Sequence, residues 1–145
     1  MKTASWVLLA LVGALTLTAG LGSATLAYRG GEDKIMYGSV QMSDLAAGRE
    51  DVAVALRGRR GTAASYAIGY ATLFLFVVLG PYRRGEVWSW WALLVSSLAL
   101  VLLMILRIPL LGTRASADVA AIQFAVVIVA LMLDVRRLKS SSQAR

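Results

Sequence analysis

Five polar side chains stand at or just inside the ends of otherwise apolar stretches of this chain, where they could hold a small molecule: Tyr66, Tyr70, Arg107, Asp118 and Gln123. Tyr66 and Tyr70 are four residues apart and would share one face of a helix, with Thr62, Ser65, Gly69 and Thr72 nearby. Phenols and an amide supply hydrogen bonds, Arg107 a fixed positive charge and Asp118 a negative one. That set suits a lipid, a quinone or another lipophilic molecule carrying a few polar atoms. As acid–base chemistry it offers only Asp118 with Tyr66, and no residue is assigned a catalytic role. The competing reading is structural: interfacial tyrosines, and serine, threonine and tyrosine hydroxyls bonding between helices.

The absences narrow the chemistry further. With no histidine and no cysteine, the chain lacks the side chains that ligate haem b, build the usual zinc sites, form histidine-box di-iron centres or exchange thiols and disulfides. It has no asparagine to accept N-glycosylation, and no glycine-rich loop followed by Lys-Ser/Thr that would cradle phosphates. No cofactor and no metal are expected.

The elements that must position these residues are membrane spans. Thr62 to Leu79 and Val87 to Leu106 contain no acid or base. At a rise of ~1.5 Å per residue each is about long enough to cross a ~30 Å hydrocarbon layer. The connector Gly80-Pro81-Tyr82-Arg83-Arg84-Gly85-Glu86 makes them a hairpin, and the apolar runs Ser5 to Tyr28 and Val119 to Leu133 are read as its neighbours. In 145 residues that are 59% hydrophobic, four spans leave no room for a separate soluble catalytic domain. The expected fold is an all-α integral membrane four-helix bundle forming a single domain. Its spans lie at about 5–28, 62–80, 87–107 and 117–134, and a polar loop, 29–60, carries a short amphipathic helix.

Along the chain, the first run has two readings. It is an uncleaved span bracketed by Trp6 and Tyr28, or a cleaved signal peptide with Gly22-Ser23-Ala24 as the small-residue site. Its length favours the span, and Ala10, Ala14, Thr18 and Gly22 form a small-residue ladder for helix packing. In the loop, a helix capped by Ser43 would place Met42, Leu45, Ala46, Val52, Ala53 and Leu56 on one side and Asp44 and Asp51 on the other, with Arg49 interrupting the apolar stripe. Trp88, Trp90 and Trp91 beside Arg83 and Arg84 read as an aromatic belt, with stacking on a cofactor or carbohydrate as the alternative. Ser89, Ala92, Ser96 and Ala99 give the third span a small face. Arg107 and Asp118 can pair across the turn between spans three and four.

Alternation of the spans puts the N-terminus, the Arg83-Arg84 connector and the tail on one face, and the long loop on the other. Tyr66, Tyr70, Arg107, Asp118 and Gln123 then all fall in the loop-side half, while the other half is almost purely apolar. A polar-lined recess open to the loop side is the functional expectation. Lys2, Arg83, Arg84, Arg136, Arg137 and Lys139 sit in short, acid-poor segments, which favours both termini in the cytoplasm of a cell or inner membrane. Arg57, Arg59 and Arg60 argue the other way. The formal charge of +7 belongs to span ends and lipid headgroups, so no nucleic acid is expected. Abundant alanine, with arginine supplying nearly all the bases, suits a GC-rich bacterial genome.

The entry to the second span, Arg57 to Tyr70 (R-G-R-R-G-T-A-A-S-Y-A-I-G-Y), and the hairpin Arg83 to Trp91 (R-R-G-E-V-W-S-W-W), with four spans and a polar first loop, resemble small bacterial four-span proteins of the DoxX-like type and, more distantly, the EXPERA-like group. The resemblance implies a four-helix membrane fold. EXPERA-like proteins use acids within their helices on lipophilic substrates, and the interiors of these spans hold no acid; DoxX-like proteins mostly have no defined reaction. Three functions remain as expectations. One is a non-catalytic accessory subunit of a larger membrane protein, or a self-associating bundle. The second is a binder of a lipophilic molecule in the recess. The third, a proton-coupled multidrug exporter, wants a carboxylate in the first span, where there is none.

Overall fold

The computed structural model describes residues 2–29, 36–37, 40–111 and 117–142. The elements in chain order are α1 (Lys2–Arg29), an antiparallel pairing of β1 (Met36–Tyr37) with β2 (Val40–Gln41), α2 (Met42–Ala46), α3 (Glu50–Val77) closed by a π-helical turn (Val78–Tyr82), α4 (Val87–Leu111) and α5 (Ala117–Ser142). Among the described residues, four stretches are long and apolar enough to cross a membrane: Ala4–Arg29, Glu50–Tyr82, Val87–Leu110 and Ala117–Asp134. The chain forms two compact units, Leu15–Thr72 and a second made of Met1–Ala14 with Leu73–Arg145.

In the second of these units α4 packs along α5. Ser89, Leu93, Ser97 and Val101 are the buried positions of α4, a stripe repeating every four residues. Among the described side chains of α5, Ala117, Ala120, Val127, Ala130, Leu131 and Asp134 are buried. The expected small face of α4 is therefore rotated: Ser89 belongs to the seam, Ala92 and Ser96 flank it and Ala99 is exposed. Leucine and valine share the seam with serine because a close-packed interface rewards filled volume as well as small size. From α1 the unit takes Ser5, Leu9 and Val12 into its interior. Gly13 lies so close to α3 that an added Cβ would meet Leu75 at 2.7 Å and Phe74 at 3.2 Å.

The hairpin connector ends α3 by a specific device. The amide of Glu86 donates to the carbonyl of Pro81 (3.1 Å) and that of Gly85 to Tyr82 (3.0 Å), the paired bonds of a Schellman stop. Gly85 sits in the left-handed region at φ 83°, where glycine costs least.

In the other unit, α3 begins at Glu50 rather than near Thr62, so the second span's helix includes about half of what was expected to be a separate amphipathic helix. Glu50 and Asp51 in its first turn favour a helix start. Thr62 and Ser65 return their hydroxyls to the carbonyls of Gly58 and Gly61 (both 3.0 Å). Only α2 stays separate, broken from α3 at Ala47 and Gly48, both with positive φ. The residue preceding α2 is Gln41, with no side-chain cap bond, instead of Ser43. The apolar stripe survives the break: Met42, Ala46 and Ala53 are buried together against Leu26, Val52 and Leu56, while Leu45 is exposed. Arg49 lies in the bend, exposed and paired with Asp51 at 2.9 Å. α1 and α3 approach closely at Gly20, where a Cβ would stand 2.9 Å from the Ile68 side chain and 3.4 Å from its backbone nitrogen.

Candidate functional site

The five expected site residues are distributed over both units. On α3 of the first unit, Tyr66 is 77% exposed and Tyr70 half-buried. In the other unit, Asp118 is exposed in the first turn of α5 and Gln123 half-buried farther along it. Arg107 falls within α4, but its side chain lies outside the described residues, and with it the expected Arg107–Asp118 pair. Within α3 the two phenols share a side of the helix as their spacing requires, but Tyr66 turns outward.

Several hydroxyls along the helices are satisfied on their own helix. Thr18 donates to Leu15 (3.0 Å), Thr25 to Gly22 (2.8 Å), Thr72 to Ile68 (2.8 Å) and Ser96 to Leu93 (3.3 Å). In hydrocarbon this is the cheapest way to retain a hydroxyl, because the acceptor is always one turn away.

Buried polar side chains occur instead toward the other ends of the helices, where the sequence reading expected an almost purely apolar half. There, Ser5, Ser89 and Asp134 are buried, and the Ser5 Oγ and Tyr82 hydroxyls are 2.6 Å apart in the interior. One residue beyond Ser5, the Trp6 ring carries the Arg83 guanidinium 4.5 Å from its centroid, a cation–π contact. In the first turn of α4 the Ser89 hydroxyl donates to the carbonyl of Glu86. Trp90 Nε1 donates to the carbonyl of Leu131 (3.2 Å), fastening α4 to α5 one turn before Asp134. Chain counting alone would have placed Ser5, Tyr82, Ser89 and Asp134 at this end, but Tyr82 reads as a connector residue and Ser5 as a span boundary.

The tryptophans do not form one stacking platform. Trp88 Nε1 donates to Glu86 Oε2 (2.7 Å), and Trp91 meets Trp90 edge-on at 4.9 Å. Each ring thus has its own local partner, as in an interfacial belt. Beside them a cleft of about 310 Å³ is lined by Leu79, Gly80, Arg83 and Arg84. Arg84 Nε pairs with Glu86 Oε1 at 3.0 Å. In the first unit, a cleft of about 430 Å³ is lined by Ser43, Ala46, Gly48, Arg49, Glu50, Ala53 and Arg57. Neither cleft contains any of the five expected site residues. Among the described residues no three metal-ligating side chains gather.

No family model, curated protein or solved structure matches this chain.

Proposed function

We propose that the chain is a multi-pass protein of a bacterial cell membrane, both termini cytoplasmic, that works by packing rather than by chemistry, as a subunit of a larger membrane assembly or of a self-associated bundle. The observation that carries this reading is on α1. Ala14, Thr18 and Gly22, three rungs of the expected ladder, are exposed, and nothing lies within 4 Å of where a Gly22 Cβ would stand. The helix's internal close contacts are made by Gly13 and Gly20 instead. Between lipid-immersed helices apolar surface alone drives little association, and close backbone approach at small residues is what rewards it. A small-residue face left uncovered within one chain is therefore a face for another helix. The exposure of Leu11, Leu15, Leu73, Phe76, Leu103 and Met132 supports lipid around the remainder.

The test is to purify the tagged protein from its native membrane in mild detergent, measure its mass in the native state and identify co-purifying polypeptides, for the wild type and Gly22→Leu. A homo-oligomer or a stoichiometric larger partner, lost in the variant, is expected. A monomer with no partner, carrying a single enriched lipophilic compound, would overturn the reading in favour of a ligand-binding recess.

A further inference from the structure

The cleft at the end of α3 has the chemistry of a lipid-phosphate site. Leu79 ends the apolar part of the helix, and Arg83 and Arg84 follow it. They stand about one helical turn farther along the axis, toward the headgroup layer. Leu79 and Gly80 give the cleft an apolar side and the two guanidiniums a cationic one. Gly80 leaves it open: nothing lies within 4 Å of where its Cβ would be.

The cations are positioned from the protein side. Arg83 is held over Trp6, and the Ser5–Tyr82 bond ties that part of α1 to the π-helical turn. Arg84 is anchored at one nitrogen by Glu86, a single contact for a group with five N–H donors. In the connector itself Arg83 and Arg84 stand against one acid, Glu86, so its charge balance favours an anion.

We propose that this cleft binds the phosphodiester headgroup of an anionic phospholipid, with an acyl chain leaving along Leu79. A guanidinium pair matches phosphate oxygens in charge and donor geometry, and the apolar side selects a phosphate that carries a hydrocarbon tail over one free in water.

The protein reconstituted in phosphatidylcholine nanodiscs containing a minor fraction of phosphatidylglycerol tests this, with native mass spectrometry counting retained lipids. The wild type should retain phosphatidylglycerol over phosphatidylcholine by roughly tenfold or more, and millimolar inorganic phosphate should not displace it. Arg84→Gln should weaken retention by roughly fivefold. Gly80→Leu, which fills the notch without touching a charge, should abolish the preference while melting like the wild type. Equal retention of both lipids, wild-type retention by both variants, or displacement by inorganic phosphate would each overturn the proposal.

Discussion

The Ser5 and Tyr82 hydroxyls meet at 2.6 Å inside the protein, each residue 2% exposed. They join the start of α1 to the π-helical turn after α3, two points 77 residues apart in sequence. Removing either partner breaks this bond in a place water does not reach. Tyr82→Phe keeps the ring and should cost about 0.5–2 kcal/mol, the span of measured interhelical bonds in membranes and of buried hydroxyls left unmade. Ser5→Ala should cost a similar amount, and the double variant less than the sum, because each single variant already loses the same bond. Unfolding in a graded mixture of denaturing and mild detergent measures the three values; strict additivity would show that the bond does not couple the two residues.

Two glycines on α1, two residues apart, should respond oppositely to the same substitution. Gly20 faces Ile68 with no room for a Cβ, whereas Gly22 faces open space. Gly20→Leu forces α1 from α3 and should destabilise the fold by about 1–3 kcal/mol or more. Gly22→Leu should leave the melting temperature near that of the wild type and change only the native mass of the assembly. If Gly22→Leu unfolds the protein, the exposed ladder is part of its internal packing.

The contrast at these glycines marks what the sequence could and could not disclose. Four apolar segments of spanning length announce themselves by composition, and their boundaries agree with the helices at Ala4–Arg29, Val87–Leu110 and Ala117–Asp134. Which stripe of each helix turns inward is a different question. A helix hydrophobic nearly all round has no amphipathic signal, so nothing ranks the four-residue ladder from Ala10 to Gly22 against the seven-residue repeat of Gly13, Gly20 and Ala27, which also holds one face. The early start of α3 was hidden because Arg57, Arg59 and Arg60 bound the uncharged run, and charge marks where a span ends rather than where its helix does. The buried polar pair was missed for a related reason: Ser5 and Tyr82 are remote in sequence, and nothing local to either announces the other. Tyr66 and Tyr70 were correctly placed on one side of one helix, but a shared side does not decide whether it faces protein or lipid.

Because the chain has no cysteine, single introduced thiols report its orientation without a background to remove. With both termini cytoplasmic, Ser43→Cys in the long loop should react with a membrane-impermeant maleimide in intact cells. Thr3→Cys and Ser141→Cys should react only after permeabilisation. The asymmetry of short basic segments is the physical basis of this expectation, and Arg57, Arg59 and Arg60 are the bases that oppose it. Labelling of Thr3→Cys but not Ser43→Cys in intact cells would invert the topology, and labelling at all three would mean the loop and termini share a face.

Ala47 and Gly85 both occupy the left-handed region, at φ 47° and 83°, yet exchanging alanine and glycine should have opposite effects at the two sites. At Gly85 the conformation is imposed by the paired amide bonds from Gly85 to Tyr82 and from Glu86 to Pro81. A Cβ there meets the following carbonyl, so Gly85→Ala should cost about 1–2 kcal/mol. Ala47 already carries that penalty, held in the bend by the bond from the Arg49 amide to the Ala46 carbonyl at 2.8 Å. Ala47→Gly relieves the clash, and the greater freedom of glycine in the unfolded chain offsets part of the gain. The net expectation is a stabilisation of up to about 1 kcal/mol, read as a later unfolding midpoint, together with slower amide exchange across Met42–Ala46. Destabilisation by Ala47→Gly would mean that the bend does not hold Ala47 left-handed in the folded protein and that α2 and α3 join by another geometry.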